Sequence, residues 1–566
     1  MDPTVTKPSA SRLTPRKPAQ GIVRGAVIIA GLTIMSRVLG LARTLVFSQS
    51  VGAGCLGTAY TTANQVPSLI YELALGGALT SAMVPVLARF AERSAEPSAA
   101  GEEARRHVTQ TTSALLGWTV VLLLPLTAVI VAVAGPVAKL LNPVNPNAHC
   151  SHALMITDTT QLLLAFAPQV FLYGVSVVLF GLLQAYRRFT GPALAPVVAN
   201  VVLISCYLAF MPLDSGPRGA GGHAGALAFA ATPEAALLIL GAGTTLNIAA
   251  LAVVPAFPAW RLRLAVRPTL RFPPGVARRA GGLVLVGVAE FLAQDVLNVV
   301  IIAVANGRGD TGALVLVNYT TQVFNAAYGV LALSIITSAF PVLSARDGDA
   351  FDRMCAGSTR AVLLVSWLGT ALIAAVAVPI AHVLAKQPGQ VSQLIEACAV
   401  IAPGVAGLGV VTNLSRVMFV LGRLRVAAVA LTAISLVALA VDVVVAEFAP
   451  PGLVVAGLAA GTAVANTAVA LPMVRVTRRL RGGAALAGFG RANITGIIAA
   501  ALAAAAGVAV SLSLPVDRKL VAGGTAAVAA ATALVVFALV AFCLDARDIL
   551  AIARRGRGRA GRRNAG

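Results

Sequence analysis

Charge is scarce in this chain. Of its 566 residues only 11% are charged, 58% are hydrophobic, and mean hydropathy is +0.87. A soluble chain of this length needs far more charge to cover its surface, which excludes a water-soluble globular protein. Period-two alternation of apolar and polar residues is missing, which excludes a membrane β-barrel. No Gly-rich loop precedes a Lys-Ser/Thr pair, so ATP hydrolysis by this chain is not expected. The six cysteines (Cys55, Cys150, Cys206, Cys355, Cys398 and Cys543) lack paired spacing and read as small apolar fillers, not as a disulfide frame. "HCSH" (149–152) holds metal-capable side chains but has no further ligand in sequence, so it is not read as a metal site. No convincing cleavage site follows the first apolar run, which is read as a retained first span.

What is present is a series of apolar, Ala/Leu/Val-rich runs of about 20 residues, the length of a helix that crosses a bilayer. They recur from near Gly25 to Cys543. The fold class is therefore all-α: a polytopic membrane protein. We count fourteen spans, with cores at 25–50, 60–88, 112–135, 158–185, 192–212, 233–257, 281–305, 313–343, 361–384, 393–421, 426–447, 453–474, 493–513 and 521–543. Spans two, four, eight and ten are long enough to tilt or protrude. Residues 1–20 are polar, Pro-rich and basic, the composition of a disordered tail.

The net charge of +22 is mostly topological. With the N-terminus in the cytoplasm and sides alternating, 34 of the 43 Lys and Arg fall in cytoplasmic segments, 6 in outer loops and 3 within spans. That split follows the positive-inside rule and predicts both termini in the cytoplasm. Nucleic acid is not the expected partner. The basic stretch 546–566 reads as a disordered cytoplasmic tail, with attraction to anionic lipid as the alternative.

A weak internal repeat accompanies the spans. "TSAMVPVLARF" ends span two and "TSAFPVLSARD" ends span eight, and "GAG" (52–54) and "GRG" (307–309) lie at nearly the same offset upstream. Two units six spans apart start on the same side, so the repeat is parallel.

The polar residues inside spans carry the functional signal. A charge at mid-bilayer costs roughly 2.5–3.5 kcal/mol on insertion scales, and intramembrane ionisable groups mark functional sites. Arg37 and Arg43 lie within span one. They suit an anion site, with guanidinium matched to phosphate oxygens; the alternative is a structural pair with Glu72, Glu290 or Asp295. Gln65 and Glu72 share a face of span two, with Pro67 between them. Asn318, Gln322, Asn325 and Gly329 form a stripe along span eight. A hydrated cavity wall and interhelical hydrogen bonding both fit it. Span seven carries Glu290, Gln294, Asp295 and Asn298, span eleven Asp442, and span twelve Thr462 and Asn466. Oxygen-rich clusters of this kind hold small cations, and carboxylate–arginine pairs are the alternative.

The blocks "SRVLGLARTLVFSQSVGAG" (36–54) and "ANQVPSLIYELALGGALTSAMVPVLARF" (63–90) resemble the start of the MurJ (MviN) lipid II flippases of the MOP exporter superfamily. "GLLQAYRRFTGPALAPVVAN" (181–200), "SRVMFVLGRLRVAAVA" (415–430) and "AGLAAGTAVAN" (456–466) are similar to later helices of that family. The resemblance covers essentially the whole chain, and the Ala/Gly/Arg-rich composition is of the actinobacterial type. No soluble domain is expected after the last span.

The resemblance implies fourteen helices in two lobes around a central cavity, as in MOP and MATE proteins. It places an N-lobe at 21–257, a C-lobe at 258–480 and a lipid-tail groove in helices 13 and 14 at 481–545. It implies a non-enzymatic flippase that moves lipid II, a polyprenyl-diphosphate glycolipid, from the inner to the outer leaflet of the cytoplasmic membrane by alternating access. Arg37 and Arg43 match arginines that face the family's cavity, and Arg416 matches a less constant one. Substrate contacts are accordingly expected at Arg37, Arg43, Glu72, Asn318, Gln322, Asn325 and Arg416. Asp295, Asn298, Asp442 and Thr462 roughly match residues that hold a monovalent cation such as sodium in some relatives. Thr58, Tyr71, Glu72, Thr321 and Gln322 stand where many members carry charges of the family pattern, so this cavity is less cationic. Alternatives are export of another polyprenyl-linked glycan or a drug, and a non-transporting scaffold for cell-wall synthesis proteins.

Overall fold

The computed structural model describes residues 19–71, 90–94, 98–212, 234–272, 276–516 and 518–561. Among these the chain forms no strand and, besides a short helical piece at 90–93 and 3-10 turns at Pro451–Leu453 and Ala484–Leu486, fourteen main helices. They are α1 (Ala19–Ser50), α2 (Cys55–Tyr71), α3 (Ala99–Leu141), α4 (His152–Ala185), α5 (Thr190–Phe210), α6 (Glu234–Trp260) and α7 (Val276–Arg308). There follow α8 (Ala313–Ser344), α9 (Gly348–Leu384), α10 (Pro388–Ile401 plus Gly404–Val420), α11 (Leu424–Phe448), α12 (Val454–Arg481), α13 (Phe489–Ser513) and α14 (Lys519–Gly561). Twelve are long and apolar enough to cross a bilayer, and the two pieces of α10 make a thirteenth. The remaining one, α2, has 17 described residues. The chain is a multi-pass membrane protein.

Helix ends follow local chemistry. Ser98 caps α3, its Oγ accepting from the Gly101 N–H at 3.2 Å, so this helix starts well before its apolar run and reaches 43 residues. At about 1.5 Å per residue it exceeds the bilayer core. The extra length thus appears in α3, not only in spans two, four, eight and ten as expected. Spans four, eight and ten instead each carry an irregularity. α4 breaks at Ala167-Pro168 and α10 at Ala402-Pro403, where a ring without an N–H cannot continue the ladder. α8 carries a π-helical turn at Tyr328–Ala332. Both breaks fall at an Ala-Pro pair; most of the first copy of the repeat, "TSAMVPVLARF" (80–90), lies outside the described residues. The backbone of α14 continues as helix to Gly561, where a disordered tail was expected from 546 onward; Ala, Arg and Leu without proline sustain it.

Apolar packing divides unevenly between the two faces. Toward the 51–54 and 309–312 turns, one continuous cluster joins earlier and later helices: Phe47, Tyr60, Phe166 and Tyr207 with Ile302, Tyr319, Phe324 and Leu394. Toward the opposite face the core separates in two. Val108, Leu115, Val178 and Leu182 pack under the early helices, and Leu363, Val410, Leu414 and Met473 under the later ones. Phe47, Tyr60, Tyr207 and Tyr319 of the shared cluster line one end of the cavity described below. α13 and α14 dock on α9 through alanines (Ala371, Ala375, Ala499, Ala503, Ala533). Small residues allow the close approach that holds helices together in lipid, where burial from water contributes nothing.

One expectation is overturned outright. Cys55 and Cys150 are joined in a disulfide, with Cα atoms 5.8 Å apart and 95 positions of sequence between them. They are not apolar fillers. Their link spans two loops on one face, a proximity that spacing does not encode.

Candidate cavity and its seal

Arg43 lies one and two-thirds turns along α1 from Arg37, and both look into the space between the early and late helices. Arg43 lines a cavity of about 430 Å³ with Asn64, Gln65, Ser68, Asn247, Asn318 and other residues. Arg37 lines an adjoining recess of about 420 Å³, which shares Arg43, Pro196, Asn200 and Gln322 with the first and adds Asn325. Four predicted residues of α1 and α8 are thus brought to one space, Arg37, Arg43, Gln322 and Asn325, and Asn318 stands at its deeper end. The stripe on α8 serves in both proposed ways, because Gln65 Nε2 also donates to Asn318 Oδ1 at 3.4 Å across the two halves.

Neither Arg37 nor Arg43 forms an ion pair among the described residues. Arg37 runs along the π-helical turn of α8: a Cβ built on Gly329 would meet its Cζ at 3.8 Å. An extra residue in a helical turn re-aims the side chains around it, and such bulges concentrate at functional sites. No feature of residues 328–332 announces the bulge in the sequence. Glu72 lies outside the described residues. Arg416 is not with the other two; its Cζ sits 5.5 Å from the Phe340 ring centre and 5.8 Å from that of Phe419, a cation–π arrangement.

The inner end of the cavity is closed by aromatic rings that sequence reasoning missed. Phe47 of α1 packs on Tyr60, Tyr207 and Tyr319, with centroids 5.3, 5.3 and 6.4 Å apart. The Tyr60 hydroxyl shares hydrogen bonds with Tyr207 Oη (2.8 Å) and Thr244 Oγ1 (2.9 Å). Tyr319 Oη is buried with no hydrogen-bond partner among the described residues. Three of the chain's seven tyrosines meet here, from positions that share no spacing in the sequence.

Beyond the rings a polar seal ties the two halves. Asn306 Nδ2 donates to Thr62 Oγ1 (2.9 Å) and Leu141 O (2.8 Å). Asn145 Nδ2 donates to Asn306 O and Gly309 O, both at 2.8 Å. Gln390 Nε2 donates to Ala53 O at 2.7 Å. The α1–α2 and α7–α8 turns touch directly: Gly312 has φ +89°, and a Cβ there would fall 2.1 Å from Ala53 O. Only glycine meets both demands. The Cys55–Cys150 link holds the 142–151 loop, which carries Asn145, to the start of α2.

The residues suggested for a coupling ion are only partly gathered. Gln294 and Asn298 face α11, where Ser435 Oγ donates to Gln294 Oε1 at 3.2 Å. Asp295 instead lines an apolar recess with Leu69 and Ile70 of α2. Asp442 is 1% exposed, lies tight against Gly461, and among the described residues its Oδ1 has no hydrogen-bond partner. Thr462 is its neighbour's successor on α12, its hydroxyl bonded to Leu458 O at 3.4 Å. Oxygen donors suit a hard cation; Asp442 lies beside Gly461 and Thr462 of α12, and Asp295 lines a different recess.

Known proteins resemble the chain throughout. Curated relatives include "Lipid II flippase MurJ" of Burkholderia cenocepacia, 26% identical over 58% of this chain and 58% of that protein. "Probable lipid II flippase MurJ" of Rhizobium tropici is 22% identical over 57% and 55%. The chain thus spans a little over half the length of these curated relatives. Among solved structures, "Lipid II flippase MurJ, inward closed conformation" matches with a TM-score of 0.70 at 15% identity, covering 93% of this chain and all of that one. An inward-facing MATE transporter of the MOP superfamily matches with a TM-score of 0.56 at 14% identity, over 81% and 98%. The sequence profile described as "Lipid II flippase MurJ" matches residues 47–540, and on that match the chain belongs to the MurJ family of lipid II flippases.

Proposed function

We propose that this chain moves lipid II from the cytoplasmic to the outer leaflet by alternating access, with the diphosphate held by Arg37 and Arg43. The observation that carries this reading is a pair of guanidinium groups, without an ion pair among the described residues, in a polar cavity that is closed at one face. Guanidinium forks bind phosphate oxygens in pairs, and a low-dielectric wall strengthens the attraction. The head group and diphosphate would cross in this wet space while the polyprenyl tail stays in lipid, against the groove of residues 481–545. No covalent chemistry is required. The moving bodies are the lobes 21–257 and 258–480.

Two independent features support an outward orientation for the sealed face. The 34-to-6 distribution of basic residues favours the outside for it. A disulfide persists in an oxidising compartment, and Cys55–Cys150 lies on that same face. Both termini are then cytoplasmic, and the cavity is accessible from the cytoplasm. Where a monovalent cation drives the cycle, Asp442 is the carboxylate placed to receive it. Cell-wall synthesis proteins are the partners this activity would serve.

The test is complementation. In a cell depleted of its own flippase, the chain restores growth and lipid II reaches the outer leaflet; Arg37→Ala and Arg43→Ala abolish both at unchanged protein level. Rescue by the variant lacking both arginines would refute the anchoring role.

A further inference from the structure

No part of the cavity uses the segment that joins α6 to α7. Its sequence, "RLRLAVRPTLRF" (261–272), opens with arginine and leucine in alternation. Leu262, Leu264 and Phe272 pack on the Val108–Leu115–Leu182 cluster, while Arg261, Arg263, Arg267 and Arg271 are exposed. Extended backbone sends alternate side chains to opposite sides. The strap is pinned to α3: Thr269 N–H donates to Ser113 O and Arg267 N–H to Ser113 Oγ, both at 3.1 Å. Trp118 Nε1 donates to Leu270 O at 3.2 Å.

The arginines at this end of the molecule sort by partner. Arg105 Nη2 donates to Leu262 O (3.0 Å) and Arg263 O (2.9 Å), Arg187 pairs with Glu92, and Arg261 lies over the Phe257 ring. The side chains of Arg188 and Arg263 have no partner among the described residues. These two line one recess of about 970 Å³ with Trp260, which is 76% exposed at the end of α6. Arg263 also holds φ +50°, a left-handed backbone that glycine adopts freely, as Gly422 does at the end of α10. Arg263 thus keeps a side chain where glycine would be unstrained, and its guanidinium is open to a ligand in the recess.

We propose that the Arg188–Arg263–Trp260 recess binds the phosphate head group of an acidic bilayer phospholipid. Two guanidinium groups match one phosphate, and an exposed indole at the end of an apolar helix sits at head-group level. An anionic leaflet attracts such a cluster. The bound lipid would anchor the strap between the two halves to the bilayer surface.

Tryptophan quenching tests this. Purified protein is reconstituted in vesicles of phosphatidylcholine with one-fifth brominated phosphatidylglycerol, or with one-fifth brominated phosphatidylcholine. The Trp260 contribution is the difference between the unsubstituted protein and Trp260→Phe. We expect that contribution to be quenched at least threefold more by the brominated acidic lipid, and the excess to vanish in Arg188→Gln/Arg263→Gln. Equal quenching by the two lipids overturns the proposal, and this comparison needs no arginine variant to fold. An excess that survives the double substitution also overturns it, as does an excess abolished by inorganic phosphate at matched ionic strength, which would make free phosphate the ligand.

Discussion

At the scale of single residues, burial and partnership separate side chains that look alike in sequence. Tyr60 and Tyr319 belong to one aromatic cluster, yet the first has two hydrogen-bond partners and the second none among the described residues. Removing a partnered buried hydroxyl leaves other polar groups unsatisfied, at a cost of about 1–3 kcal/mol. Tyr60→Phe should therefore lower the melting temperature of the purified protein, and Tyr319→Phe should leave it unchanged or raise it. A loss on Tyr319→Phe equal to that on Tyr60→Phe would show that the Tyr319 hydroxyl has a partner after all. Gly312 offers a second contrast. A methyl group there meets Ala53 O and a disfavoured backbone at once, and overpacking of this kind costs about 1–3 kcal/mol. Gly312→Ala should loosen the seal, read as faster labelling of a cysteine placed at Ala53 by an impermeant maleimide from outside the cell.

At the scale of elements, α1 and α8 were legible and the loops were not. Arg37 and Arg43 stand out because charge in an apolar run is costly, and the α8 stripe stands out because its spacing matches the helical repeat. The bulge at 328–332 has no sequence signal, since it arises from how α8 packs. The disulfide was misread for the same reason: two cysteines 95 positions apart declare themselves only once helices bring their loops together. Its presence makes a numerical prediction. Denatured, unreduced protein should take up four maleimide groups, at Cys206, Cys355, Cys398 and Cys543, and six after reduction. Six without reduction would remove the link. Breaking it by Cys55→Ser frees the 142–151 loop, and with it Asn145, so transport should fall without loss of protein from the membrane.

At the scale of the whole molecule, the fourteen spans counted stand against twelve or thirteen long apolar helices among the described residues. The class followed from hydropathy, because a bilayer constrains it so tightly. The conformation did not, because the same spans serve every state of an exchange cycle. It is read from the cores: one shared cluster at the sealed face and two separate ones opposite. If the sealed face is outside, a C-terminal fusion to a reporter that matures only in the cytoplasm should be active, and the same reporter inserted at 146 should be silent. The opposite pattern would invert the orientation.

The covalent link has a consequence for biogenesis. Both of its cysteines fall within the first 150 residues, and everything after Cys150 is made later. Synthesis runs from the N-terminus, so the bond can close while most of the chain is still on the ribosome. The clasp that the α7–α8 turn must later find would then be finished before that turn exists, and the second half would assemble onto a pre-shaped edge.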